Sequence, residues 1–154
     1  MTSPLQLCVR RTPASGVPAV ATQVHVRMPS DVACIEQTVS LVTHHCLAGT
    51  VASERLRFRL QVAVAEALAN AVMCGNQEEP GKSVLVDAEL FSDRICLQVT
   101  DEGIGFDPTQ VPEPVRPEQI GEACGRGLFL IRKLVDEVHF NEQGNSICMT
   151  LRRR

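Results

Sequence analysis

Residues 101–108 read "DEGIGFDP" and follow directly on "RICLQVT", an alternating apolar run over residues 94–100. The alternation predicts a half-buried strand that ends at Thr100. Asp101 then stands at the carboxyl end of the strand, where a side chain can project into a crevice beside a sheet. Gly103 and Gly105 permit positive φ and, lacking Cβ, allow another group to come close. Two readings compete. One is a tight turn that merely needs glycine. The other is a pocket in which a buried carboxylate accepts a hydrogen bond from an exocyclic amine and so selects adenine. Taken alone, the motif is more often the turn.

Just upstream, "KSVLVDAELF" and "RICLQVT" are separated by the short polar "SD", which predicts a β-hairpin. Further back, "ERLRFRLQVAVAEALANAVM" predicts a helix from Ser53 to about Met73, because Leu56, Leu60, Val64, Ala67 and Ala71 recur at three- and four-residue steps. Glu66 and Asn70 lie four apart on one face of it. A carboxylate and an amide within so apolar a run are costly to bury unpartnered. Either the stripe faces water, or the two side chains line a site. Oxygens at that spacing can hold a magnesium ion, directly or through water, and position a nucleophile.

Downstream, residues 107–124 carry Pro108, Pro112, Pro114 and Pro117, which exclude a regular helix or central strand. A loop this long in a compact domain reads as a lid or a disordered segment. "GRGLFLIRKLVDEV" then predicts a helix. Gly125 and Gly127 at its start would leave backbone N–H groups and the positive end of the dipole facing an anion, and Arg126 between them could reach a terminal phosphate. A closing hairpin is expected across "VHF-NEQGN-SICMTL". Before the long helix, "ATQVHVRMP" reads as a strand at a sheet edge. "SDVACIEQTVSLVTHHCLAG" reads as a helix with Ser30 as N-cap and Gly49 as stop.

The 154 residues make one domain, with 44% hydrophobic and 21% charged residues, as in ordinary globular proteins. With no Trp or Tyr and five Phe, the core must rest on aliphatic residues. Net charge is −3 and the one basic cluster is Arg152–Arg154, so nucleic acid is not an expected partner. Neither a signal peptide nor a membrane-spanning stretch is apparent. Seven cysteines without a CxxC pair fit neither a disulfide framework nor a zinc site, and suggest the reducing cytoplasm. The expected architecture is an α/β (α+β) two-layer sandwich, with helices on one face of a mixed, mostly antiparallel sheet. Residues 1–19 would be a leader and 20–154 the domain.

In order along the chain, "EALANAVMCGN", "DEGIGFDP", a long loop and "GRGLFLIRKLVDEV" resemble the N, G1 and G2 boxes of the GHKL, or Bergerat-fold, ATPases. Within that superfamily the chain is most similar to the bacterial anti-sigma factor serine kinases of the RsbW and SpoIIAB type. The similarity covers roughly residues 20–152. It implies ATP and Mg²⁺ as cofactors, Asn70 as the magnesium-coordinating asparagine, and Glu66 as the carboxylate that acts as base or orients the attacking hydroxyl. Asp101 would hold the adenine amino group, with Gly103 and Gly105 shaping the base pocket. Gly125, Arg126, Gly127 and Leu128 would border the phosphates under a lid formed by residues 107–124.

The same resemblance implies partners and an output. The γ-phosphate would pass to a serine of a STAS-domain anti-sigma antagonist, freeing the kinase to sequester a sigma factor, and a homodimer is expected. Two positions depart from the family pattern: Cys74 stands where histidine is frequent, and Ala123 where sporulation-type kinases carry a lid arginine, which Arg126 or Arg116 would have to replace. Cys74 and Cys124 would flank the site if helix and lid meet there, with inert packing as the expectation for each. Two other functions stay open: a nucleotide-responsive sequestering module that transfers nothing, and a detached histidine-kinase catalytic domain. The second lacks a preceding phospho-acceptor helix, since His44 and His45 fall within the first helix of the fold.

Overall fold

The computed structural model describes residues 4–11, 22–105 and 123–154. Among the described residues, six strands form one sheet: β1 (Gln6–Arg11), β2 (Thr22–Pro29), β3 (Ser83–Leu90), β4 (Arg94–Thr100), β5 (Glu137–Phe140) and β6 (Ser146–Arg152). Their order is β1-β2-β3-β4-β6-β5. Among the described residues every pairing is antiparallel, where the sequence suggested a mixed, mostly antiparallel sheet. The α-helices among the described residues, α1 (Ile35–Leu47), α2 (Glu54–Ala69) and α3 (Ala123–Leu134), cover one face.

Strand alternation decides which face is covered. Val24, Val26 and Met28 of β2, Val84, Val86 and Ala88 of β3, and Ile95, Leu97 and Val99 of β4 all point into the core. Their neighbours His25, Arg27, Asp87 and Gln98 lie half-buried or exposed on the other side. The stripe of α2 also behaves as its periodicity demands, with Leu56, Leu60, Val64, Ala67 and Ala71 all buried. Each large apolar side chain so buried contributes about 1.5–3 kcal/mol, and this packing, more than helix propensity, holds α2 in place.

Three expectations are corrected. Residues 6–11 belong to the sheet: β1 pairs along β2 from Gln6↔Arg27 to Arg11↔Thr22, so β2 is internal and β1 is the edge strand. "QLCVRR" was obscured by its polar neighbours; it pairs because β2 leaves a row of backbone groups unsatisfied. Ser30 is not the N-cap of α1. The Asp31 side chain caps a 3₁₀ turn, Val32–Cys34, that leads into α1, while the Ser30 hydroxyl is buried without a hydrogen-bond partner. The third correction concerns the end of α2, which widens into a π-helical turn, Asn70–Gly75, marked by a bond from Asn76 N–H to the Ala71 carbonyl at 2.8 Å.

α2 runs antiparallel to α3 and is clamped to it by the buried Arg59. Its guanidinium donates to the carbonyls of Leu134 (2.6 Å) and Arg152 (3.3 Å) and to Asp136 Oδ2 (2.7 Å). Asp136 also accepts from the Arg152 N–H and from Arg154. Burial by itself would raise the Asp136 carboxyl, but these donors outweigh it and hold the group at about 2.

Candidate functional site

Between the end of α2, the end of β4, the β5–β6 turn and the start of α3 lies a cavity of about 390 Å³. That volume falls within the range of small-ligand and cofactor sites. Its walls are largely apolar, with Ala71, Val99, Leu128 and Ile147 among them, and Asn70 and Asp101 supply side-chain polar groups. Two stretches 31 positions apart in sequence (70 and 101) are therefore brought to one site, as the motif order required.

Asp101 is held by local backbone. Its Oδ1 accepts the Gly103 N–H at 2.8 Å, its N–H donates to the Asn145 carbonyl at 2.9 Å, and its carbonyl accepts from Asn145 Nδ2 at 3.1 Å. Burial pushes its carboxyl above the usual carboxylate range, against the opposing pull of the Gly103 N–H and of Lys82. A carboxylate has about four lone-pair sites, so this one retains capacity for a further donor.

The glycines act in a way that the sequence reading caught only in part. Gly105 does adopt a positive φ of 81°, and a Cβ there would stand 1.8 Å from the Gln143 carbonyl oxygen. Gly103 has no positive φ; it is needed because a Cβ would lie 2.1 Å from the carbonyl oxygen of Gly75. Both close approaches are thus to protein backbone. Gly75, which the sequence reading did not single out, lies against the carboxylate itself, since a Cβ there would be 2.2 Å from Asp101 Oδ2. Asn76 was missed as well. It is fully buried, donates to the Ser83 carbonyl at 2.9 Å and accepts the Glu102 N–H at 2.8 Å, tying the π-helical turn to β3 and to the segment after β4. An amide directly after a helix-ending glycine was the available signal.

Glu66 and Asn70 meet the start of α3. A Cβ on Gly127 would stand 2.9 Å from both Glu66 Oε2 and Asn70 Nδ2. The helix backbone therefore rests directly on the two polar side chains of α2. Gly125 and Gly127 lie within the first turns of α3, which begins at Ala123. The side chain of Arg126 and residues 106–122, including Arg116 and nearly all of the expected lid, fall outside the described residues.

The cysteines overturn one expectation. Cys74, on the π-helical turn and lining the cavity, is disulfide-bonded. Among the described residues no group of three or more His, Cys, Asp or Glu side chains could hold a metal ion, and no helix is long and apolar enough to cross a membrane.

The family model described as the histidine kinase-like ATPase domain matches residues 28–151. A serine-protein kinase RsbW of Listeria innocua is 32% identical to the chain over 98 residues, which is 59% of this chain and 62% of that protein. The protein of the same name from Bacillus subtilis (strain 168) is 35% identical over 99 residues, 59% and 61% of the two chains. A third, from Bacillus cereus, is 30% identical over 98 residues. The chain thus spans about three-fifths of the length of these relatives.

Proposed function

Because the chain belongs to the histidine kinase-like ATPase domain family, we propose that it binds ATP in this cavity and transfers the γ-phosphoryl group to a serine of a partner protein. The observation that carries the proposal is the convergence of Asp101 and Asn70 on one largely apolar cavity, with Glu66 and the start of α3 at its Asn70 end. In this reading the adenine lies between apolar walls and gives its amino group to Asp101. The phosphates lie toward Asn70 and α3, where free N–H groups of the first turn favour anions.

Magnesium fits the residues present. On a nucleotide the ion draws most of its ligands from phosphates and water and asks the protein for one or two oxygens. The Asn70 side chain would supply one, and the ion would neutralise charge on the transferring group. Glu66, on the same helical face, would orient the incoming hydroxyl and take its proton. Gly125, Gly127 and Leu128 would border the phosphates, and Arg126 would approach the terminal one. Phosphoryl transfer needs little beyond such positioning and charge balance.

The names of the relatives support serine as acceptor. We extend the proposal to a STAS-domain antagonist as the phosphorylated partner, a sigma factor or other regulator as the sequestered one, a homodimer and a cytoplasmic setting. The direct test incubates the protein with γ-labelled ATP, magnesium and a candidate antagonist. The expected result is label on one serine of the antagonist, removed by mutating that serine. ATP binding without any transfer would leave the sequestering module as the better description.

A further inference from the structure

α2 lies between α1 and α3, which pack on its two flanks, and its inner stripe meets the sheet. A helix so placed ordinarily turns charged residues to the water on its outer face. This one does not. Phe58, Val62, Ala65 and Ala69 recur there at four-, three- and four-residue steps, opposite the buried stripe, and none is fully covered. Phe58 is 58% exposed, and Leu130 of α3 is 40% exposed. Arg59 reaches the Leu134 carbonyl, and Glu66 and Asn70 meet Gly127, so the antiparallel register sets Leu130 beside Val62. The two helices thus share an apolar seam, about 16 Å long from Phe58 to Ala69, bulky at one end and lined by alanines at the other.

Cations gather at the Phe58 end. Arg55 and Arg57 are exposed in the opening turns of α2, and Lys133 is exposed in the last turn of α3, over the ring of Phe129. Among the described residues neither arginine side chain has a hydrogen bond or ion pair. Arg55 also lies in the first turn of its helix, where the dipole disfavours a cation by about 0.3–1 kcal/mol. The acids nearby are Glu54, which is exposed, Asp136, which Arg59 and Arg154 already hold, and Glu137, 3.6 Å from His139. The chain as a whole carries −3, so this end opposes its net sign. Unpaired arginines set against a dipole, beside an exposed phenylalanine, add nothing to the stability of the fold itself.

We infer that this seam binds an acidic amphipathic helix of a partner protein. The apolar side of that helix lies over Val62, Ala65 and Ala69, with one bulky residue against Phe58 and Leu130, and its carboxylates face Arg55, Arg57 and Lys133. Other occupants fit less well. A second copy related by a two-fold axis would set like cations against each other. A nucleic acid would find three free cations on a protein of net negative charge. A membrane calls for large projecting apolar side chains, and the alanines leave a hollow instead. The inference does not rest on the ATP reading, because the seam lies outside the cavity and ends at Ala69.

The test selects a displayed library of random helical peptides, about four turns long, on the immobilised full chain. Fluorescence anisotropy then measures the enriched peptides against wild type, Phe58→Ser, the double variant Arg55→Glu/Arg57→Glu, and Arg10→Glu on the edge strand β1. The enriched peptides should be rich in Asp and Glu, with apolar residues at three- and four-residue steps. Phe58→Ser and the double variant should each weaken binding by about tenfold or more, the loss typical of a central anchor, while Arg10→Glu should not. Binding should also weaken as salt rises. Every variant should melt no lower than wild type, since the replaced side chains are exposed. A selection that enriches nothing would overturn the inference, as would enriched peptides that are neutral or basic, or that bind Phe58→Ser as tightly as wild type. Binding to phosphatidylserine vesicles that Phe58→Ser abolishes, with no peptide enriched, would overturn it in favour of a membrane. Self-association that the same variant abolishes in analytical ultracentrifugation would overturn it in favour of a second copy.

Discussion

Arg59→Met lowers the unfolding free energy by about 3–5 kcal/mol, the usual loss when one partner of a buried ion pair is removed. The side chains of Arg59 and Asp136 are only 9% and 11% exposed, so water cannot replace the missing donors cheaply. Two carbonyls, of Leu134 and Arg152, lose a charged donor in the same step. A domain of this kind has roughly 5–15 kcal/mol in total, so the variant should unfold at a much lower urea concentration. The effect depends on pH with a definite sign. Asp136 sits at about 2 in the folded protein against 3.8 ordinarily. Its contribution to stability is therefore present above the unfolded value and lost as pH falls through about 2. The difference between wild type and Arg59→Met in urea titrations should be largest near neutrality and shrink toward pH 2. An equal difference at both extremes would mean that the arginine acts through packing alone.

The second large effect is on chemistry. If Glu66 serves as the base, Glu66→Gln lowers phosphoryl transfer to serine by about 10²–10⁴-fold, the range for losing a positioned general base. Glutamine retains the size and the contact beside Gly127, so ATP affinity should change little. Single-turnover transfer, measured beside equilibrium binding, separates the two quantities. Parallel losses in both would assign Glu66 to nucleotide binding and remove it from the chemical step.

Much of this could be read from the sequence, for identifiable reasons. The apolar stripe of α2 and the alternation of β3, β4 and β6 are patterns that packing enforces, and they appear as expected. Asn70 and Asp101 fell together because the order of motifs carries information that no single motif has. What escaped depends on the third dimension. Arg59 reads as a surface charge until Asp136 and two helix- and strand-end carbonyls surround it. Gly75 looks like a helix terminator, yet its missing Cβ is what lets the Asp101 carboxylate lie where it does. β1 is too short and too polar to announce itself, and exists because β2 offers it an edge. The Cys74 bond has no signature in the spacing of the cysteines.

The central claim is that Asp101 anchors a nucleotide in this cavity. Calorimetric titration of magnesium-ATP into wild type and into Asp101→Ala, at neutral pH and again in mild acid, tests it most directly. Losing a hydrogen bond to a charged group costs about 1.5–3 kcal/mol, so the variant should bind more weakly by at least about tenfold. Because burial raises the Asp101 carboxyl, wild-type affinity should begin to fall, as pH is lowered, before an ordinary carboxylate would protonate. The variant should lack that step. Tight binding by a folded Asp101→Ala protein, with the pH profile of wild type, would contradict the account.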